Sequence, residues 1–255
     1  MVNVIGLGYI GLPTALMMAA HGETVAGADL VARLNAGQVT FREEGLEELF
    51  SQAQAAGITF SAAYQRADFY VISVPTPYEK VSRKMDAGAV LAAVRQVLCV
   101  CPKGAVIIIE STVSPGTIHR CIYPIAEAAG FTPGEDIFLV HAPERIIPGN
   151  MLAELEKNNR IIGADQPEAG QRVKRLYASF CRGDIAVTDI RTAEMTKVAE
   201  NAFRAVNIAF ANELARICRH DNMDVYEIIK ICNMHPRVDI LQPGPGVGGH
   251  CISVD

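Results

Sequence analysis

The chain has 255 residues, half of them hydrophobic, with 20% charged residues and a formal net charge of −5. That length carries a sizeable core in one large domain plus part of another, and the acidic balance gives no electrostatic footprint for nucleic acid or an anionic membrane. The longest apolar runs, such as Ala105–Ile109, are far too short to cross a bilayer, and Met1 leads into an apolar stretch without the basic segment of a secretion signal, so a cytoplasmic enzyme is expected.

In chain order, strands are expected at Val2–Ile5, 24–28, 69–74, Ala105–Ile109, 137–140, 160–162 and 185–187. Helical periodicity fills 10–21, 87–99, 116–129 and 167–180 between them. Apolar strands alternating with amphipathic helices predict an α/β fold, a Rossmann-like doubly wound and mainly parallel sheet covered on both faces. The pattern changes near residue 190, where a long helical run over 192–220 is followed by a shorter one over 224–232. A helix of that length connects domains or packs against a second subunit. The chain then enters a Gly/Pro-rich loop, Gln242-Pro-Gly-Pro-Gly-Val-Gly-Gly-His-Cys251. There is no internal repeat and no low-complexity linker.

The first strand runs into Gly6-Leu7-Gly8-Tyr9-Ile10-Gly11, and this run opens the first helix. Gly6 allows the tight turn, Gly8 lets a pyrophosphate approach the backbone, and Gly11 lets helix and strand pack closely, with the helix N-terminus facing the phosphates. Asp29 ends the second strand, where a carboxylate accepts hydrogen bonds from the ribose hydroxyls. An acid there repels a 2′-phosphate, so the expected cofactor is NAD; Arg33 nearby blurs that preference.

Ligands of a doubly wound sheet bind at the carboxyl ends of the strands. Three such ends stand out: Pro75-Thr76-Pro77, Glu110-Ser111-Thr112-Val113, and His141-Ala-Pro-Glu144-Arg145. Taken alone, each is equally an ordinary loop with a helix cap, since Ser114-Pro115-Gly116-Thr117 would start a helix unaided. On the long helix Lys197 and Asn201 share a face at i, i+4, with Glu194 and Glu200 as surface ion-pair partners if the face is only a solvated stripe. The seven cysteines show no CxxC pair, and most, such as Cys181 and Cys218, read as small buried hydrophobes. Cys251 does not, because it sits beside His250 among Gly246, Gly248 and Gly249, where a thiol is accessible and can be activated. No further ligands match His250 and Cys251, so no metal is expected.

Taken together, GLGYIG, VPTP, ESTVSPGT, APERIIPG, TAEMTKVAENAFRA and GPGVGGHCISVD, in this order from Met1 to Asp255, closely resemble the UDP-glucose/GDP-mannose dehydrogenase family. The APERIIPG and GGHCISVD forms are similar to the branch that oxidises UDP-N-acetylmannosamine, or a related UDP-N-acetylhexosamine, to its uronic acid. The UDP-glucose branch has a lysine before the last aspartate, where this chain has Val254.

The resemblance implies a four-electron, NAD-linked oxidation of a sugar C6 hydroxyl through a thioester on Cys251. Lys197 and Asn201 would stabilise the oxyanion, Asp255 and Thr112 would position water, and Glu144 would assist hydrolysis. It also assigns Gly6, Gly8, Tyr9, Ile10, Gly11, Asp29, Arg33, Pro75, Thr76 and Thr112 to the cofactor. Glu144, Arg145, Ile146, Lys197 and Asn201 go to the UDP-sugar substrate.

The expected organisation is an NAD-binding domain over 1–190, a helical central region over 191–240 that pairs two subunits as a homodimer, and a catalytic cysteine loop over 241–255. Family members continue into a further α/β domain that supplies most of the nucleotide-binding surface, so a truncated chain is expected. The competing readings are a non-catalytic NAD-binding or association module and a two-electron dehydrogenase of the β-hydroxyacid type. The latter would not need Cys251.

Overall fold

Hydrophobic strands separated by helices organise the first part of the chain, as the sequence pattern requires. The computed structural model describes residues 1–29, 31–79, 81, 84–147 and 149–248. The chain begins β1 (Val2–Ile5), α1 (Gly11–Ala20), β2 (Val25–Ala28), α2 (Ala32–Asn35), α3 (Leu46–Ala55) and β3 (Thr59–Ser61). It continues through β4 (Phe69–Ile72), the hairpin β5 (Tyr78–Glu79) and β6 (Lys84–Met85), α4 (Gly88–Val100), β7 (Ala105–Ile109) and α5 (Tyr123–Ala128). Next come β8 (Ile137–His141), α6 (Met151–Lys157), β9 (Arg160–Ala164), α7 (Pro167–Tyr177) and β10 (Ile185–Thr188). The long α8 (Ile190–His220) and then α9 (Val225–Cys232) follow.

The large sheet has eight strands in the order β10-β9-β8-β7-β4-β1-β2-β3. Strands β3, β2, β1, β4, β7 and β8 run parallel, and β9 turns antiparallel to β8 with His141 opposite Gly163. The strand order reverses between β1 and β4, and a crevice opens at the carboxyl end of such a reversal. Alternation along β7 feeds two cores: Val106 and Ile108 pack on one face, Ala105, Ile107 and Ile109 on the other. Helix α1 is buried from Gly11 to Ala19, because it lies between the sheet and α3. Among the described residues, no helix is long and apolar enough to cross a membrane.

Several expectations needed correction. The strand expected over 69–74 ends at Ile72, since Pro75 has no N–H for a ladder. The helix expected over 116–129 cannot start at Gly116, whose φ is 87°. Helical structure begins instead with a π-helical turn, Ile118–Ile122, ahead of α5. Pro124, which lacks the N–H for a regular i→i−4 bond, accounts for that irregular entry. Of the cysteines, Cys181 and Cys218 are buried as expected, but Cys99 is exposed and Cys101, Cys121 and Cys232 are only half-buried.

Candidate active site

The Gly6–Gly11 turn shows a separate reason for each glycine. Gly6 has a φ of 86°, in the left-handed region. A Cβ on Gly11 would lie 1.8 Å from the Gly6 carbonyl oxygen, so α1 meets the turn at a distance only glycine permits. A Cβ on Gly8 would meet nothing within 4 Å. Gly8 therefore faces open space at the N-terminus of α1, as a pyrophosphate-binding position must. Asp29 closes the other side of the turn, its Oδ2 accepting the Leu7 N–H at 2.7 Å. Between them lies a cleft of about 320 Å³ walled by Tyr9, Leu34, Thr40 and Phe41. Tyr9 and Phe41 pack ring to ring with centroids 4.5 Å apart. The residues present fit a dinucleotide. Leu34, Thr40 and Phe41 were not expected from the sequence, and a Thr-Phe pair in a polar connection gives no local signal of a cleft wall. Arg33 and Pro75 are exposed, and Ile10, Thr76 and Thr112 are half-buried along the same edge of the sheet.

The loops after β4 and β7 are tied together. Ser111 Oγ donates to the Val74 carbonyl at 2.7 Å, which fixes the start of the Pro75-Thr76-Pro77 loop. At the next strand end His141 is completely buried and its Nδ1 hydrogen-bonds the Ile109 carbonyl at 2.8 Å. Burial pushes the His141 imidazole down to about 4, and the nearby Lys197 charge adds to that shift. Lys197 is thus buried at the carboxyl ends of β7 and β8, not part of a solvated stripe.

Glu194, one turn earlier on α8, was expected as a surface ion-pair partner and is fully buried instead. It accepts the backbone N–H groups of Gly116 and Ile118, so the helical turn after Ser114-Pro115 does not start unaided. Glu200 does form an ion pair, with Arg145 at 2.7 Å.

The loop after β8 is held from several sides. Glu144 is buried, accepts the Arg145 N–H at 2.7 Å, and is bonded directly to the Arg160 guanidinium. Glu154 accepts the Ile147 N–H at 2.8 Å. Glu43 accepts the N–H groups of Gly149 at 2.9 Å and Met151 at 2.8 Å. Ile146 is half-buried between these ties. Glu43, Glu154 and Arg160 were missed from the sequence, where nothing distinguishes a loop-anchoring charge from a solvated one. Gly249, His250, Cys251 and Asp255 lie outside the described residues. Among the described residues no cluster of side chains could hold a metal ion.

Residues 1–181 match the UDP-glucose/GDP-mannose dehydrogenase family's NAD binding domain, and residues 191–255 match its central domain. The chain belongs to this family. Its N-terminal part is accordingly the family's NAD-binding domain, in agreement with the open Gly8 position beside Asp29. A UDP-N-acetyl-D-mannosamine dehydrogenase from Methanococcus vannielii is 44% identical over 260 residues, covering 99% of this chain and 59% of that protein. An NDP-N-acetyl-D-galactosaminuronic acid dehydrogenase from Ralstonia nicotianae is 43% identical over 266 residues, covering all of this chain and 63% of that protein. Among solved structures, a UDP-N-acetyl-mannosamine dehydrogenase from Staphylococcus aureus superposes with a TM-score of 0.91 at 46% identity, covering 100% of this chain and 63% of that one. The chain therefore spans about three fifths of the length of the relatives it matches.

Proposed function

We propose that this chain supplies the cofactor domain, central helix and catalytic cysteine loop of an enzyme that oxidises the C6 hydroxyl of UDP-N-acetylmannosamine to a carboxylate. The observation that carries this reading is Lys197, buried beside His141 at the same edge of the sheet as the Gly6–Gly11 turn. A buried ammonium at that edge is suited to neutralise an oxyanion where hydride leaves carbon. The names of relatives 43–44% identical support an N-acetylated nucleotide sugar as the substrate class.

NAD, held at the Gly6–Gly11 turn and Asp29, would supply the hydride acceptor, a fresh molecule for each of two successive oxidations. In the first, the C6 alcohol loses a hydride and a proton to become an aldehyde, with Lys197 and Asn201 holding the developing oxyanion and Lys197 passing on the proton. The Cys251 thiolate then adds to the aldehyde carbon, and the resulting thiohemiacetal again carries a hydride that can leave. Its loss gives a thioester. Water positioned by Thr112 and Asp255, with Glu144 assisting, breaks the carbon–sulfur bond and releases the acid and the free thiol.

In this reading Asp29 takes the ribose hydroxyls, with Arg33 alongside. Tyr9, Ile10, Pro75, Thr76 and Thr112 line the rest of the cofactor, while Arg145 and Ile146 contact the sugar nucleotide. The outer side of α8 exposes Met195, Phe203, Val206, Phe210 and Ile217. A shallow depression of about 520 Å³ lies there, between Met195, Ala199 and Phe203. An apolar helix stripe of this kind suits pairing with a second copy of the chain, and a homodimer is the expected assembly.

The test is NADH formation by the chain given NAD and UDP-N-acetylmannosamine, with UDP-N-acetylgalactosamine in parallel. Two NADH per sugar, abolished with acid formation in Cys251→Ala, is the expected result. One NADH per sugar, or full turnover in Cys251→Ala, rules out the thioester route.

A further inference from the structure

Behind the strand ends, Glu110, Glu144, Arg160 and Tyr177 are all buried together. Strand β9 runs antiparallel to β8, which returns Arg160 to the level of the loop that carries Glu144. The Arg160 guanidinium donates directly to Glu144 Oε2, and its Cζ lies 4.4 Å from the centre of the Tyr177 ring. Glu110 sits differently: its Oε1 is 3.9 Å from Arg160 Nη1, beyond hydrogen-bond reach. It is contacted instead by neutral hydroxyls, Tyr177 Oη at 2.9 Å and Ser73 Oγ.

The cluster thus holds one permanent positive charge and two carboxylates out of water. Ionising both would leave an uncompensated buried negative charge, which is costly at this depth. The contacts divide the two acids. Glu144 has the charged donor and a backbone N–H from Arg145 as well. Glu110 has only hydroxyl partners, and the Ser73 hydroxyl can accept a hydrogen bond from Oε2 as readily as donate one.

We infer that Glu110, in its protonated form, is the positioning residue for Glu144, leaving the Arg160 guanidinium to hold the Glu144 carboxylate at the strand end. This rests on the reading of Glu144 as the acid that assists hydrolysis. Burial pushes the Glu110 carboxyl up to about 7, with Arg160 opposing the rise and Glu144 adding to it. The groups that face Glu110 are Arg160 from β9, Glu144 from the loop after β8, Tyr177 from α7 and the neutral Ser73 after β4. Ser73 also donates its backbone N–H to the Ile5 carbonyl at 2.8 Å, just before the glycine turn. Glu110 therefore spans from the cofactor strand ends to the loop of Glu144.

The test is a carboxyl titration of the chain labelled with carbon-13 glutamate, followed by NMR from about pH 4.5 to about pH 8.5. Glu110→Gln and Glu144→Gln identify the two resonances. Glu110 is expected to titrate near neutrality, and Glu110→Gln, which mimics the protonated acid, leaves the Glu144 resonance in place. In turnover, Glu110→Gln removes the near-neutral titration from the pH profile of acid formation, whereas Glu110→Ala lowers kcat about tenfold with little change in KM. A Glu144 resonance displaced in Glu110→Gln overturns the inference, as does a Glu110 resonance that ionises in the ordinary acid range. A chain that forms no NADH defeats the proposed reaction alone, because the titration decides the proton's place without turnover.

Discussion

Glu194 on the central helix accepts the backbone N–H of Ile118 at 3.0 Å, and that of Gly116 through its other oxygen. A carboxylate from α8 thereby caps the helical turn that follows β7, and the next turn of the same helix carries Lys197. Thr112 and Lys197 approach the candidate site on segments pinned to one another by this single side chain. Truncation in Glu194→Ala strands two buried N–H groups, each costing about 1–3 kcal/mol when left without a partner. Glu194→Gln keeps an acceptor and is expected to lose clearly less. Urea unfolding of the two variants checks this; equal losses would mean that the carboxylate contributes packing and not the cap.

Gly8 and Gly11 make opposite predictions. Alanine at Gly11 drives its Cβ into the Gly6 carbonyl, 1.8 Å away, and is expected to destabilise the fold by about 1–3 kcal/mol. Alanine at Gly8 meets nothing within 4 Å, so stability is expected to stay within about 0.5 kcal/mol of the parent. Its methyl occupies the space a pyrophosphate needs, and NAD affinity is expected to fall at least about tenfold. Thermal unfolding and NAD titration separate the two. A Gly8→Ala chain that binds NAD normally would remove Gly8 from the cofactor site.

The central strands and the long helix were legible because their signals are local. Ala105–Ile109 is an unbroken apolar run buried on both faces, and no Pro or Gly interrupts α8. Helix α3 was missed although Leu46, Leu49, Phe50 and Ala53 carry the helical spacing and are its buried face. Its ten residues are framed by glycines and charges that resemble a loop. β3, three residues at the sheet edge, offered too short a run to register. In the site, the glycine turn stood out because its spacing is local, and Asp29 because it directly follows the second apolar strand. Arg160 did not, since an antiparallel return joins it to Glu144, and nothing near Arg160 in sequence announces that strand's direction. Glu194 was misplaced for a related reason: its partners are backbone groups after β7, and i, i+4 arithmetic on its own helix cannot find them.

His141 makes stability depend on pH in a definite direction. Its imidazole is pushed down to about 4 by burial and the Lys197 charge. A histidine whose folded pKa lies below its unfolded value binds its proton more tightly in the unfolded chain. Its stabilising contribution is whole above about pH 6.5 and is lost as the pH falls toward about 4, on the order of 3 kcal/mol in all. Glu110 works the other way, losing stability as pH rises from its unfolded value toward about 7, so the two slopes oppose each other in the parent chain. His141→Asn keeps a donor at the Nδ1 position for the Ile109 carbonyl and does not titrate. Urea unfolding across this range should give the variant a smaller loss on acidification than the parent, and identical curves would exclude His141 as the cause.

In the proposed reading, Asp29 selects between the two dinucleotides. Its carboxylate is already oriented by the Leu7 N–H at 2.7 Å, at the exposed end of β2 beside the Gly8 opening. A carboxylate so placed accepts hydrogen bonds from the ribose hydroxyls and repels a 2′-phosphate, while Arg33, exposed on α2, stands ready to pair with one. Asp29→Ser removes the repulsion and the charged acceptor together. Hydrogen bonds to a charged group are worth about 1.5–3 kcal/mol, so NAD should bind roughly tenfold to a hundredfold more weakly. NADP should bind more tightly than to the parent, through Arg33, and the added Arg33→Ala should reverse that gain. Calorimetric titration with both dinucleotides gives the affinities needed. If Asp29→Ser leaves NAD binding unchanged, the ribose lies elsewhere, and the Asp29 carboxylate serves only to close the turn through Leu7.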